Sequence, residues 1–414
     1  MDATAKKPLV ERIDSRVFTV AEYLLVWLTV FYAAVWCLYT SANCNTALRV
    51  GVPLLAGLVG LQIRRVPLSL WRRVGFVAAY LGVYLVATRY NGIRFVLYYI
   101  LPLILLLLYT GLRKDGGVGL LHKLSDVMAV ITALSLFFYL FGTVLGWIPR
   151  TSIAAFYWGG GWRTCPTYFH LYYEAQQITF FGWDLPRNCG VFPEAPGFAV
   201  FLVTAAATEV LLRDRPRLWR CVLFAVATVT TVSVKAFLLM AAVFTLRYVL
   251  WPPSWISRRL RLWLFPILGV GMTVAASVLL WDKLTSVSGF MRLDDVSACI
   301  KAFLTAPVFG TGYWNDASII PFFSYPDRYN NGLSMGAAVI LAQGGLYLST
   351  LYWWPAVGCV LRSRGQRRRW AAFALIYAAL LFSGNIVYHF LTMLLIAVFL
   401  SAGREVPRDR PQSA

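Results

Sequence analysis

Apolar stretches long enough to cross a bilayer follow one another along this chain, separated by short loops in which arginine dominates. In hydrocarbon the backbone has no water to bond, so such stretches must be helices or the strands of a closed barrel. The runs are continuous rather than alternating, which selects helices. Hydrophobic residues make up 59% of the 414 residues and mean hydropathy is +0.65, which excludes an ordinary soluble domain. The sequence therefore predicts an all-α integral membrane protein of about twelve spans.

The arginines set the order. Residues 1–17 form a cytoplasmic N-terminus, and five spans follow within 18–148, near 18–39, 48–63, 74–88, 95–112 and 125–148. A long outer loop covers 149–195. Spans six to nine lie within 196–281, near 196–212, 221–233, 236–250 and 263–281. A second long outer loop, 282–333, precedes the last three spans within 334–402, near 334–360, 371–385 and 388–402, and 403–414 is a cytoplasmic tail. On this threading 27 of the 38 Lys and Arg residues fall inside and 11 outside, the bias that orients membrane proteins. That placement also explains the net charge of +20 without nucleic acid, so no nucleic-acid partner is expected. The first apolar run lacks a small-residue cleavage site and reads as a span, not a cleaved signal.

The outer loops hold the polar chemistry. Arg187-Asn-Cys-Gly-Val-Phe-Pro-Glu194-Ala-Pro-Gly197 closes the first loop, with Pro196 and Glu194 at the start of the sixth span. An arginine and a glutamate at a membrane mouth point to function, or to an ion pair that closes the loop. Upstream lie Trp158, Trp162 and Arg163, then Tyr168 to Tyr173 with His170 and Glu174. Such rings stack on sugar faces, and they equally form an interfacial aromatic belt. His170 and Glu174 are spaced to meet on a helix, but two ligands do not make a metal site.

Ser233 and Lys235 mark an outer turn where a lysine near membrane depth needs an anion, either a phosphate or a carboxylate. In the second loop, Asp294 and Asp295 beside Arg292 can hold it or bind a cation, and Gly310 and Gly312 permit tight turns. The seven cysteines lack CxxC spacing, which argues against zinc. Cys165 and Cys189 share the first loop, as a disulfide or as two free thiols.

Taken together, the Arg187–Gly197 segment, the Ser233-Val-Lys235 turn, Arg292 through Pro307-Val-Phe-Gly310-Thr-Gly312, and Tyr329-Asn330-Asn331-Gly-Leu-Ser resemble the Wzy-type O-antigen and exopolysaccharide repeat-unit polymerases. The spacing departs from the family's in detail: Arg187 to Gly197 is one position short, and Phe303 stands where a glycine would follow Arg292. The O-antigen ligases of the same superfamily carry a His-Asn before the late span, where this chain has Asn330-Asn331.

The resemblance implies a GT-C-like, metal-independent membrane glycosyltransferase of the bacterial inner membrane, with both termini cytoplasmic and no cofactor. It would join oligosaccharide repeat units carried on undecaprenyl pyrophosphate, alongside a flippase and a chain-length regulator. Arg187, Glu194, Arg292 and Asp294 are the catalytic candidates it implies. Lys235, Arg163, Trp158, Trp162, Tyr168, Tyr329, Asn330 and Asn331 are the candidates for binding substrate. A ligase acting on lipid A-core, or a flippase for lipid-linked glycans, is the alternative.

Overall fold

The computed structural model describes residues 9–38, 45–62, 66–158, 161–180, 183–252, 257, 287–324 and 332–403. The predicted ninth span and the segment holding Tyr329, Asn330 and Asn331 lie outside the described residues. The helices are α1 (Leu9–Phe31), α2 (Asn45–Gly60), α3 (Leu68–Thr88), α4 (Gly92–Leu112), α5 (Val118–Val144), α6 (Ala195–Leu212), α7 (Leu218–Thr230), α8 (Val234–Leu250), α9 (Val287–Thr305), α10 (Gly336–Arg362), α11 (Arg367–Ser383) and α12 (Phe390–Ser401).

Among the described residues, four helices, α3 to α6, are long and apolar enough to cross a membrane. Shorter apolar helices occur in α1, α2, α7 and α12. The fold is thus mostly helical and built for a bilayer. The first predicted span is the least accurate: α1 starts earlier and stops at Phe31, and Val35–Leu38 forms a separate turn.

Helix α6 is central, 89% buried, and packs against α5, α7, α8 and α11. Its sequence is apolar on all sides because every side meets protein. Helix α3 is only 28% buried and turns Phe76, Val83 and Val86 outward, a surface stable against lipid tails rather than water. Threonines inside the bundle satisfy their hydroxyls locally: those of Thr110, Thr204, Thr208 and Thr228 each donate 2.8–2.9 Å to the carbonyl four residues back.

One end of the bundle is tied by charge. Glu22 of α1 takes Arg113 at 2.6 Å and also pairs with Lys123. Buried Glu209 forms an ion pair with Arg213 at 3.0 Å, and Asp126 pairs with Arg220. Arg369 on α11 pairs with Asp214. Basic residues from the loops predicted to be cytoplasmic therefore gather at one end of the bundle.

At the other end the predicted all-α architecture needs correcting, because the first long loop is β-structured. Strands β1 (Ser152–Trp158) and β2 (Gly161–Tyr168) form an antiparallel hairpin with Ala154 opposite Cys165 and Phe156 opposite Arg163. Strand β3 (Tyr172–Tyr173) extends this sheet, and β4 (Gln177–Phe180) and β5 (Trp183–Pro186) form a second hairpin. Alternate residues Ala154 and Phe156 are buried with Cys165 and Tyr173 against Val35 and Leu38, which gives the sheet a reason to fold where it does.

Helix α10 is broken at Gly345, whose φ of 61° and ψ of −168° are outside the helical range. Pro307 to Gly312 docks into the break. Leu346 and Tyr347 donate to the carbonyls of Pro307 and Val308, each at 2.9 Å. Thr311 and Gly312 donate to Ala342 and Gln343 at 3.0 and 2.9 Å. The approach requires glycine on both sides, because a Cβ on Gly310 or Gly345 would lie 2.4 Å from the opposing backbone. Gly345→Ala should therefore lower folded protein in the membrane sharply, combining that clash with roughly 1–3 kcal/mol of backbone strain. Fluorescence-detected gel filtration should show this loss, whereas Gly82→Ala, which meets open space, should leave the profile unchanged.

Candidate functional site

The site is built on two orphaned helix ends. The last carbonyls of a helix lack intrahelical partners, and at the end of α7 these groups are taken up by the Arg187 segment. Arg187 Nε donates to Thr231 O at 2.8 Å, and Asn188 N donates to Thr230 O at 2.9 Å. Asn188 Nδ2 adds a bond to Thr230 Oγ1 at 2.9 Å, while its Oδ1 accepts from Gly190 N at 3.1 Å and from the Ser135 hydroxyl. A guanidinium also suits the negative end of a helix.

Gln176 supplies the other anchor. Its side-chain oxygen accepts from Arg187 Nη1 at 3.3 Å and from Ala195 N at 3.1 Å, so one carboxamide joins the arginine to the start of α6.

The second helix end belongs to α6. Glu194 caps it through its backbone carbonyl, which accepts from Gly197 and Phe198 at 3.1 and 3.2 Å, and a proline occupies the first turn as the sequence predicts. The half-buried Glu194 carboxylate makes no hydrogen bond or ion pair among the described residues. Arg187 and Glu194 thus do not close the loop as a salt bridge; they act on one another through the field alone.

Lys235, in the first turn of α8, donates to Ser383 O at the end of α11 at 2.8 Å. Arg292 is half-buried on α9, and among the described residues no hydrogen bond or ion pair ends on its guanidinium. The fields of Glu194, Arg292 and Arg187 all reach Lys235, and those of Glu194 and Arg292 reach Arg187. Four candidates scattered over more than a hundred residues of sequence therefore share one electrostatic neighbourhood. Among the described residues, Glu194 is the carboxylate whose field reaches both Arg187 and Lys235, and the field of Arg292 opposes it at each. Burial pulls the Arg187 guanidinium below its ordinary value; nearby Cys189 and Glu194 raise it, and Arg292 lowers it further. An anion entering this site would relieve the repulsion among the three cations.

The remaining candidates separate by what they touch. Asp294 accepts from Ser324 N at 3.0 and 3.2 Å, and Asp295 accepts from Ser334 N and Oγ at 3.1 and 2.7 Å. Both carboxylates pin the chain to α9 rather than orient Arg292. Tyr168 is interior, against Phe138 and Tyr172, and donates to Glu174 at 2.7 Å. Trp158 packs beside the β-sheet core and Arg163 is half-buried opposite Phe156, whereas Trp162 is 69% exposed and open to stacking.

His170 and Glu174 do not meet on a helix. His170 sits in the turn between β2 and β3, and Glu174 pairs with Arg150 at 2.8 Å. Among the described residues no group of three His, Cys, Asp or Glu side chains is placed to hold a metal. Sequence reasoning passed over Gln176, Asn188 and Thr231, since neutral side chains and backbone carbonyls in a loop carry no signal of their own.

Cys165 and Cys189 are buried free thiols. Burial pushes each up to about 12, so neither ionises near neutral pH. Both should resist maleimide labelling of the folded protein at neutral pH and react on denaturation, as peptide mass spectrometry would show. No protein-family model matches the chain, and no curated protein matches its sequence.

Proposed function

We propose that this protein is a membrane glycosyltransferase that polymerises oligosaccharide repeat units carried on undecaprenyl pyrophosphate, at the outer face of a bacterial inner membrane. The observation that supports this reading is that Glu194 and Arg292 act through their fields on both Arg187 and Lys235, with the Glu194 carboxylate unpaired among the described residues. A glycosyl pyrophosphate is already activated, so catalysis needs only a stabilised leaving group and an oriented, deprotonated acceptor.

Arginine suits the first task, because a permanently charged guanidinium binds phosphate in bidentate fashion. In the proposed step an acceptor hydroxyl attacks the anomeric carbon of the donor. The new bond is a glycosidic C–O bond, and the bond to the pyrophosphate oxygen breaks. Undecaprenyl pyrophosphate leaves with both electrons of that bond, held by Arg292, Lys235 and the free edge of Arg187. Glu194 takes the hydroxyl proton. Trp162 offers a face for sugar stacking. The proposal includes a GT-C-like arrangement of twelve spans with both termini cytoplasmic, and a flippase and a chain-length regulator as partners.

Arg292 gives the cleaner test, since Arg187 also holds the end of α7. Arg292→Ala should insert at wild-type levels, accumulate single lipid-linked repeat units and lose long polymer. A charged hydrogen bond lost in the transition state contributes roughly 1.5–3 kcal/mol, or one to two decades in rate. Arg292→Lys, which keeps charge and loses the fork, should fall between the two. Wild-type polymer ladders from well-expressed Arg292→Ala would remove that residue from the mechanism.

Polymer formation should also survive EDTA, since the three cations supply the charge that a metal would otherwise provide. Loss on chelation with rescue by one divalent ion would replace this mechanism.

A further inference from the structure

The turn that follows the docked 307–312 segment is held from several sides. Asn315 Nδ2 donates to Thr311 O at 2.8 Å, and the Ser318 hydroxyl donates to Thr311 Oγ1 at 2.6 Å. From the loop between α3 and α4, Asn91 Nδ2 donates to Tyr313 O at 3.2 Å. Tyr90 lies against the bare backbone of Gly312, where an added Cβ would stand 2.5 Å from its own. This frame fixes Trp314 in the left-handed region at φ 53°, a conformation uncommon for a bulky residue. The Trp314 indole stacks on buried Tyr388, with centroids 5.9 Å and planes 28° apart, and 41% of the residue stays exposed.

Asp316 follows two residues later and is accessible. Its Oδ1 accepts from Gln343 Nε2 at 2.7 Å, which ties the carboxylate to the broken helix α10. Its Oδ2 makes no hydrogen bond among the described residues. Desolvation nevertheless raises the Asp316 carboxyl above its ordinary value, and the Gln343 amide offsets part of that. An accessible carboxylate that is still desolvated stands in a recess, not on an open surface. Nearby, the Gln343 side-chain oxygen and the Tyr313 and Tyr388 hydroxyls are buried without hydrogen-bond partners among the described residues. The field of Asp316 reaches Tyr388.

We propose that this recess holds one uncharged pyranose residue, its ring face on Trp314 and a hydroxyl donating to Asp316 Oδ2. The chemistry of the recess selects that class. A carboxylate with a free oxygen calls for a donor and repels a phosphate. An ammonium ion is disfavoured as well, because the field of Arg94 reaches Tyr313 in the same corner. An indole offers a broad, flat apolar face, which suits the C–H face of a sugar ring. Sugar hydroxyls can both donate and accept, so they match oxygen acceptors and tyrosine donors alike. In the proposed function this sugar would belong to a repeat unit, whereas affinity for a pyranose rests on the recess alone.

The experiment is saturation-transfer NMR of the full-length protein in lipid nanodiscs, so that no glycoside detergent competes. The probes are the methyl pyranosides of glucose, galactose, mannose and N-acetylglucosamine. Wild type should saturate at least one of them at its ring protons. Trp314→Ala should weaken that binding roughly tenfold, and Trp314→Phe should keep most of it. Asp316→Asn keeps the shape and loses the charge, and should weaken binding about fivefold.

Signal from none of the four probes, or signal unchanged in both Trp314→Ala and Asp316→Asn, would overturn the proposal. Displacement of the sugar by tetramethylammonium or by inorganic phosphate would assign the recess to a cation or an anion and overturn it too. Should Trp314→Ala not fold, Asp316→Asn decides by the same criterion. Wild-type polymer without probe binding would remove the subsite and keep the polymerase, and probe binding by a protein that makes no polymer would do the reverse.

Discussion

A broken helix exposes backbone groups that must find other partners when buried, and the second long loop of this protein is arranged around the repair of one such break. At Gly345 the freed amides of Leu346 and Tyr347 find the carbonyls of Pro307 and Val308, while Ala342 and Gln343 receive Thr311 and Gly312. The second long loop is thereby pulled into the bundle instead of lying over it. Packing of α9 against α10 follows, and with it the placement of Arg292 within electrostatic reach of Arg187.

The same logic of orphaned backbone groups governs the first loop. The carbonyl end of α7 is closed by Arg187 and Asn188, and Ser383 at the end of α11 is closed by Lys235. Cations are attracted to helix C-termini for reasons independent of any ligand. Here two such ends, together with Arg292, meet one glutamate at the N-terminus of α6. Structural caps thus accumulate positive charge in one place, and in the proposed function an anionic substrate would use what the fold already provides.

The opposite end shows what a purely structural charge network looks like by comparison. Glu22 pairs directly with Lys123 of α5, and Asp126 and Glu209 both pair with Arg220 of α7. At the first-loop site Glu194 and Arg292 have no such direct partners among the described residues, and their fields both reach Arg187 and Lys235. Burying charge in that state costs free energy unless something else enters to balance it. That difference in pairing, not the mere presence of charge, is what supports the proposed role of this cluster.

The mostly helical, apolar character of the chain was legible in the sequence, because a span must be continuous and apolar, whereas the helix α9 inside the predicted second loop was not. The proline at the start of α6 and the need for glycine at Gly310 were also legible, since these depend on local backbone geometry. The β-hairpins of the first loop were not, because only Ala154 and Phe156 alternate clearly and the strands are short. Nor did spacing reveal that Asp294 binds Ser324 and not Arg292, or that Tyr168 is interior. Above all, Arg187 with Glu194, Lys235 and Arg292 lie on three separate segments, and only the packing of α6, α8 and α9 decides that their charges act on one another. Local rules fix what each segment becomes; long-range pairing of helix ends fixes which side chains share a field.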